Sequence, residues 1–152
     1  MTDAEKLQAL WDRAQIIELM HRYATAVDSK EWTTLRSLFT NEIGCEMIGL
    51  KADLGLPVAT TADRWIDVIS RGLAQYSVTQ HSISNHRVEI GGEKAVCTAY
   101  VIARHFIPDG KGANAIFDVG GYYANDVVRT ADGWKIRKWK LVGTWETLTD
   151  AK

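Results

Sequence analysis

The chain has 152 residues, 46% hydrophobic and 24% charged, with 18 basic against 19 acidic side chains and a net charge of −1. These values describe one soluble globular domain over 1–152, large enough to bury a core without staples, and the balanced charge argues against a nucleic-acid partner. The polar, acidic N-terminus is no signal peptide, and no apolar run approaches the ~20 residues of a membrane span, so no membrane role and a cytoplasmic location are expected.

Residues 4–27 predict a helix, because Leu7, Leu10, Trp11, Ala14, Ile17, Leu19, Met20, Tyr23, Ala24 and Val27 recur at three- and four-residue steps. Thr2 and Asp3 can cap its start. A shorter helix spans 30–39, with Trp32, Leu35, Leu38 and Phe39 inward. Asp28-Ser29-Lys30-Glu31 before it has the spacing of a capping box. Residues 42–50 predict a first strand, 51–61 a loop with Gly55 and Pro57, and 62–75 a third helix carrying Trp65, Ile66, Val68, Ile69 and Leu73.

The period then changes to two. Strands are expected at 77–90, 94–107, 115–129 and 134–147. Gly91-Gly92, a loop over 108–114 that includes Gly112, and Thr130-Ala131-Asp132-Gly133 separate them. Strands joined by such turns are antiparallel neighbours. Helices grouped ahead of an antiparallel sheet give an α+β fold, with three helices packed in a strongly curved sheet that encloses a cone. Cys45 and Cys97 read as buried thiols, and the absence of a Cys/His cluster predicts no metal.

Asp28 and His81 are the candidate chemical pair. A carboxylate that orients an imidazole makes a general base near neutral pH. Asp28 has a second reading, as the cap of the second helix. His81 alternates in phase with Thr79, Ile83 and Asn85 on one strand face. Asn85 can bond substrate or satisfy strand backbone. His105 and Arg104 face opposite ways, with Arg104 toward solvent or a partner subunit. Tyr23 precedes Asp28 by a turn and a half of helix and can donate into the same pocket. Of Tyr122 and Tyr123, only one can line it. Trp32, Trp65, Trp139 and Trp145 read as core or cavity wall, suited to a flat apolar ligand. His21 and His86 read as surface or structural residues.

The strings Asp28-Ser29-Lys30-Glu31-Trp32, Thr79-Gln80-His81, Arg104-His105 and Asp132-Gly133-Trp134-Lys135-Ile136, with the order of elements, resemble the SnoaL-like branch of the NTF2-like superfamily. The resemblance covers about residues 5–147. It is nearest the scytalone dehydratase group and more distant from hexachlorocyclohexane dehydrochlorinase. It implies a catalytic dyad of Asp28 and His81, with His105 as a second histidine. The dehydratases' two tyrosines are matched here by Val27 and Met47, and their Ser and Asn by Gly121 and Tyr123. The dehydrochlorinase's Lys and Arg are matched by Tyr23 and Trp139.

The resemblance implies a cofactor-independent lyase, dehydratase-like, acting on a small hydrophobic or polyketide-like aromatic molecule. His105 or Tyr23 would steady the developing oxyanion. An isomerase using the same dyad is the alternative. So is a non-catalytic binding or assembly module like the small subunit of a ring-hydroxylating dioxygenase. No cofactor is implied, and a homodimer or homotrimer is expected.

Overall fold

The computed structural model describes residues 1–110 and 114–150; Gly112 of the expected loop lies outside them. In chain order the elements are α1 (Asp3–Asp28), α2 (Trp32–Ser37), β1 (Phe39–Ile48), β2 (Ala59–Thr61), α3 (Ala62–Leu73), β3 (Val78–Gly91), β4 (Lys94–Pro108), β5 (Asn114–Thr130) and β6 (Gly133–Thr149). The helix order and the four-strand meander follow the hydrophobic periods. The strands form one curved, unclosed sheet in the order β2-β1-β6-β5-β4-β3. All pairs are antiparallel except β1 with β6, which places Cys45 beside Trp139 and Met47 beside Leu141.

Thr2 caps α1 in a reciprocal box. Its hydroxyl accepts from the Glu5 N–H at 3.2 Å, and the Glu5 carboxylate accepts from the Thr2 N–H at 2.6 Å. The buried face runs from Ile16 through Leu19, Met20, Tyr23 and Val27. Leu7, Leu10 and Trp11, expected on that stripe, are instead exposed. A helix of 26 residues is about 39 Å long, and its first turns, residues 3–11, stay exposed.

The expected capping box for α2 does not form. Asp28 is the last residue of α1, and α2 begins after Glu31, which makes no side-chain cap. The intervening turn is a Schellman arrangement. The Glu31 N–H bonds the Ala26 carbonyl at 2.9 Å and the Lys30 N–H bonds that of Val27 at 3.1 Å. Lys30 takes the left-handed position, φ 56°, where glycine is usual. Its ammonium donates to the Tyr76 carbonyl at 2.8 Å, which tethers the turn to the start of β3. Asp28 therefore leaves its own helix free to face β3.

The N-terminal half of α1 is anchored to the sheet by one buried carboxylate. Asp12 accepts two bonds from the Arg129 guanidinium, at 2.8 and 2.7 Å, one from the Trp134 indole at 3.2 Å and one from the Gln8 amide at 3.1 Å. The Arg129 hydrogen bonds hold its pKa down to about 2 despite burial. A carboxyl depressed in the folded state stabilises above its unfolded pKa and loses that contribution as pH falls through the folded one. Asp12→Asn is thus expected to destabilise by ~1–3 kcal/mol at pH 7, with the deficit shrinking between about pH 4 and pH 2. Urea titrations of both proteins at several pH values check this, and a deficit independent of pH would contradict it.

Glycines set the bend between β5 and β6. A Cβ at Gly121 would lie 2.0 Å from the Val142 carbonyl oxygen, a backbone atom that cannot step aside. The ladder shifts register between Gly120 and Gly121. Gly121→Ala is expected to cost about 1–3 kcal/mol by overpacking, read from the midpoint of denaturant unfolding. An unchanged midpoint would show that the strands can part there.

Candidate active site

The end of α1 and the first half of β3 meet at Asp28. One carboxylate oxygen pairs with the His81 Nδ1 at 2.6 Å and accepts from the Thr79 hydroxyl at 2.9 Å. The other accepts from the His81 backbone N–H at 2.8 Å. Three donors from one strand fix the carboxylate in position. Burial pushes the Asp28 carboxyl upward, but these bonds outweigh it and leave its pKa below the ordinary value. An ionised carboxylate on Nδ1 makes that nitrogen the donor and leaves Nε2 with its lone pair. The His81 side chain is 9% exposed and that of Asp28 24%, so the pair is sheltered but open to solvent.

Thr79, two residues before His81, is the functional neighbour that the sequence reading leaves without a role. The signal was present, since residues i and i+2 of a strand share a face. His105, on β4, is buried with its ring centroid 5.8 Å from that of His81, at 82°. Its Nδ1 donates to the Phe117 carbonyl at 3.0 Å, and Tyr76 and Phe117 pack on the ring. Burial lowers its pKa, only partly countered by the bond to Phe117. With Nδ1 donating to Phe117, the neutral His105 ring keeps Nε2 as an acceptor.

Tyr23, Trp65, Tyr123 and Trp139 are all buried and stack with Phe39 to form the floor of the cone. Trp32 and Met47 are partly buried and pack against the hydrophobic core. Tyr123 is the inward member of its pair and Tyr122 the exposed one.

Two expectations fail. Asn85 leaves the pocket face because β3 bulges between Ser84 and Arg87, with Asn85 itself at φ 55°. One extra residue reverses the alternation, so Asn85 is exposed and His86 is partly buried. Trp145 is outward and 44% exposed, its ring lying across Gly120. Arg104 faces outward and pairs with Asp118 at 2.8 Å. Lys138 and Lys140 share one face, each bonded to Glu46.

Cys45 and Cys97 are buried free thiols. Among the described residues no group of three or more His, Cys, Asp or Glu side chains is placed to hold a metal, and no helix is long and apolar enough to cross a membrane.

A family model described as "SnoaL-like domain" matches residues 8–140. The chain belongs to the SnoaL-like family. The Kfla4162 protein of Kribbella flavida is similar to this SnoaL-like chain, 33% identical with a TM-score of 0.81, over 91% of this chain and 95% of that one. Hexachlorocyclohexane dehydrochlorinase LinA type 2 is 20% identical, with a TM-score of 0.79 over 95% of this chain and 93% of its own. A proposed scytalone dehydratase from Novosphingobium aromaticivorans is 21% identical, with a TM-score of 0.74 over 97% and 91%. The last two likenesses are of fold.

Proposed function

We propose that this SnoaL-like protein is a cofactor-independent lyase, dehydratase-like, acting on a small hydrophobic or aromatic polyketide-like molecule. The observation that carries the reading is the 2.6 Å contact between Asp28 and the His81 Nδ1. His81 Nε2 removes a proton from a carbon next to a carbonyl. Asp28 holds the ring and stabilises the imidazolium that forms. The electron pair of the broken C–H bond moves to form an enolate. Its collapse expels a β-hydroxyl, which takes the abstracted proton back from the His81 imidazolium and leaves as water, so the neutral base is restored. Return of the proton to another carbon would give an isomerase with the same dyad. The names of the dehydrochlorinase and dehydratase of like fold agree with an elimination.

The first step has its own test. Small aromatic ketones incubated with the protein in deuterium oxide are expected to gain deuterium beside the carbonyl, read by mass spectrometry. Exchange that persists in His81→Ala, or none in any ketone of the panel, counts against the reading.

A second reading, a binding or assembly module, is favoured by the aromatic rings that fill the cone floor. It predicts tight ligand binding with no exchange. For the partner we propose a second or third copy of the chain. Tyr100, Ile102, Tyr122 and Trp145 lie side by side on the outer sheet face, each at least 36% exposed. Tyr100→Asp should then reduce the molar mass measured by light scattering, and an unchanged mass would remove this face as the interface.

A further inference from the structure

The turn that follows α1 holds a lysine where the backbone suits a glycine. Lys30 sits at φ 56°, in the left-handed region. A residue with a Cβ is crowded there, and glycine enters it freely. The Schellman bonds of this turn run between backbone groups, so the turn itself needs no side chain at position 30. Strain held in this way points to a task for the side chain.

The Lys30 ammonium reaches the Tyr76 carbonyl at 2.8 Å. Such a charge-assisted bond is roughly twice as strong as one between neutral groups. Tyr76 is a junction. Its N–H donates to the Leu73 carbonyl, at the end of α3, at 3.2 Å. Its ring packs on His105 with centroids 4.7 Å apart, and the His105 ring in turn meets that of His81 edge to face at 5.8 Å. The next residue, Ser77, bonds the Phe106 carbonyl of β4 through its N–H at 3.0 Å and its hydroxyl at 3.2 Å. Tyr76 and Ser77 are thus fixed by α3 and β4, independently of α1.

Asp28 lies two residues before Lys30, and Thr79 and His81 lie three and five residues after Tyr76. The end of α1 and the start of β3 are therefore joined twice. One joint is the set of three bonds at Asp28, and the other is the ammonium. The second joint contributes no atom to the dyad, yet it spans the same gap. A working pair needs placement to about 0.5 Å, and bonds outside the pair supply it.

We infer that Lys30 is a positioning residue, whose ammonium on the Tyr76 carbonyl sets the approach of the Asp28 carboxylate to His81. The inference deepens the proposed function by naming what holds its working pair, and for its effect on rate it rests on that reading.

Three variants of the full chain test it. Lys30→Met keeps the strained backbone and the aliphatic stem and removes the donor. Lys30→Gly removes donor and strain together. Lys30→Arg keeps a charged donor. Amide hydrogen exchange without ligand reads the joint through the His81 N–H, whose acceptor is Asp28. Exchange at His81 should be about tenfold faster in Lys30→Met than in the wild type. Lys30→Gly should regain the unfolding midpoint that methionine loses, while its His81 amide stays fast. Lys30→Arg should return exchange to within about threefold of the wild type. For a ketone that the wild type labels, kcat for deuterium uptake should fall about tenfold in the methionine and glycine variants, with KM within about twofold.

Wild-type exchange at His81 in Lys30→Met would overturn the inference. So would protection and kcat that return together with stability in Lys30→Gly, the mark of a residue that matters only for folding. An arginine no better than methionine would do the same. If Lys30→Met does not fold, the glycine variant, free of the strain, decides. A wild type that labels no ketone defeats the base chemistry instead, and the amide result is read apart from it.

Discussion

His81→Ala is expected to lower turnover of a responsive substrate by ~10²–10⁴-fold while the protein stays folded. The substitution removes the imidazole but keeps the backbone N–H that donates to Asp28 at 2.8 Å and the Thr79 hydroxyl at 2.9 Å. The carboxylate therefore retains two of its three partners and is not stranded. Asp28→Asn is a sharper companion. An amide can present its NH₂ to His81 Nδ1, which favours the other tautomer and places the proton on Nε2, where the base is needed. Loss of rate in that variant without loss of binding would separate orientation from affinity. Full activity in a well-folded His81→Ala protein would end the general-base reading.

Acid should leave the pair intact at first. The Asp28 carboxyl is held below its ordinary value, so its contribution to stability is complete above about pH 4 and declines as pH falls through the lowered value. Buried His105 acts in a higher window. Its pKa is lowered in the fold, so stability is full above about 6.5 and declines as pH drops below that.

Trp65→Ala is expected to cost ~3–5 kcal/mol, a large share of the 5–15 kcal/mol typical of a domain. The side chain is 0% exposed and lies against Phe39, Trp139 and Tyr23, with ring centroids at 4.7, 5.5 and 6.3 Å. It joins α3 to the sheet, and alanine leaves a cavity that the three neighbouring rings cannot close. Guanidinium unfolding checks the value. A cost below about 1 kcal/mol would show that the rings do relax into the space. The contrast with Trp65→Phe is informative, since phenylalanine preserves most of the packing.

The parts of the fold legible in the sequence are those with a local period. The buried face of α1 from Ile16 onward, the inward Trp65 of α3 and the alternating strands of the meander all announce themselves by spacing. The parallel pairing of β1 with β6 does not, because its partners lie about ninety positions apart with no turn between them. The three-residue β2 is too short to show a period and lay inside an expected loop. Asn85 was misplaced because a bulge shifts phase without changing composition. The D-x-x-E spacing at Asp28 misled because the same residues close one helix by a Schellman turn instead of opening the next. The Asp28–His81 contact was legible only through the resemblance of the Thr79-Gln80-His81 string; alternation alone said which way His81 faced, not what it met.

Strand β3 is the last in the sheet order, so one side of it has no neighbouring strand. The bond from the His81 N–H to Asp28 falls on that side, where an incoming strand would dock. The carboxylate at the end of α1 thus acts as a one-residue substitute for the missing strand. Removing it should do more than disable a base. It exposes an unpaired amide on a long, β-branched edge, and with it a route to strand-to-strand association. The loss of solubility in an Asp28→Ala protein should therefore exceed that in His81→Ala, although both lose the same dyad. Chemistry and protection against aggregation are joined in a single side chain.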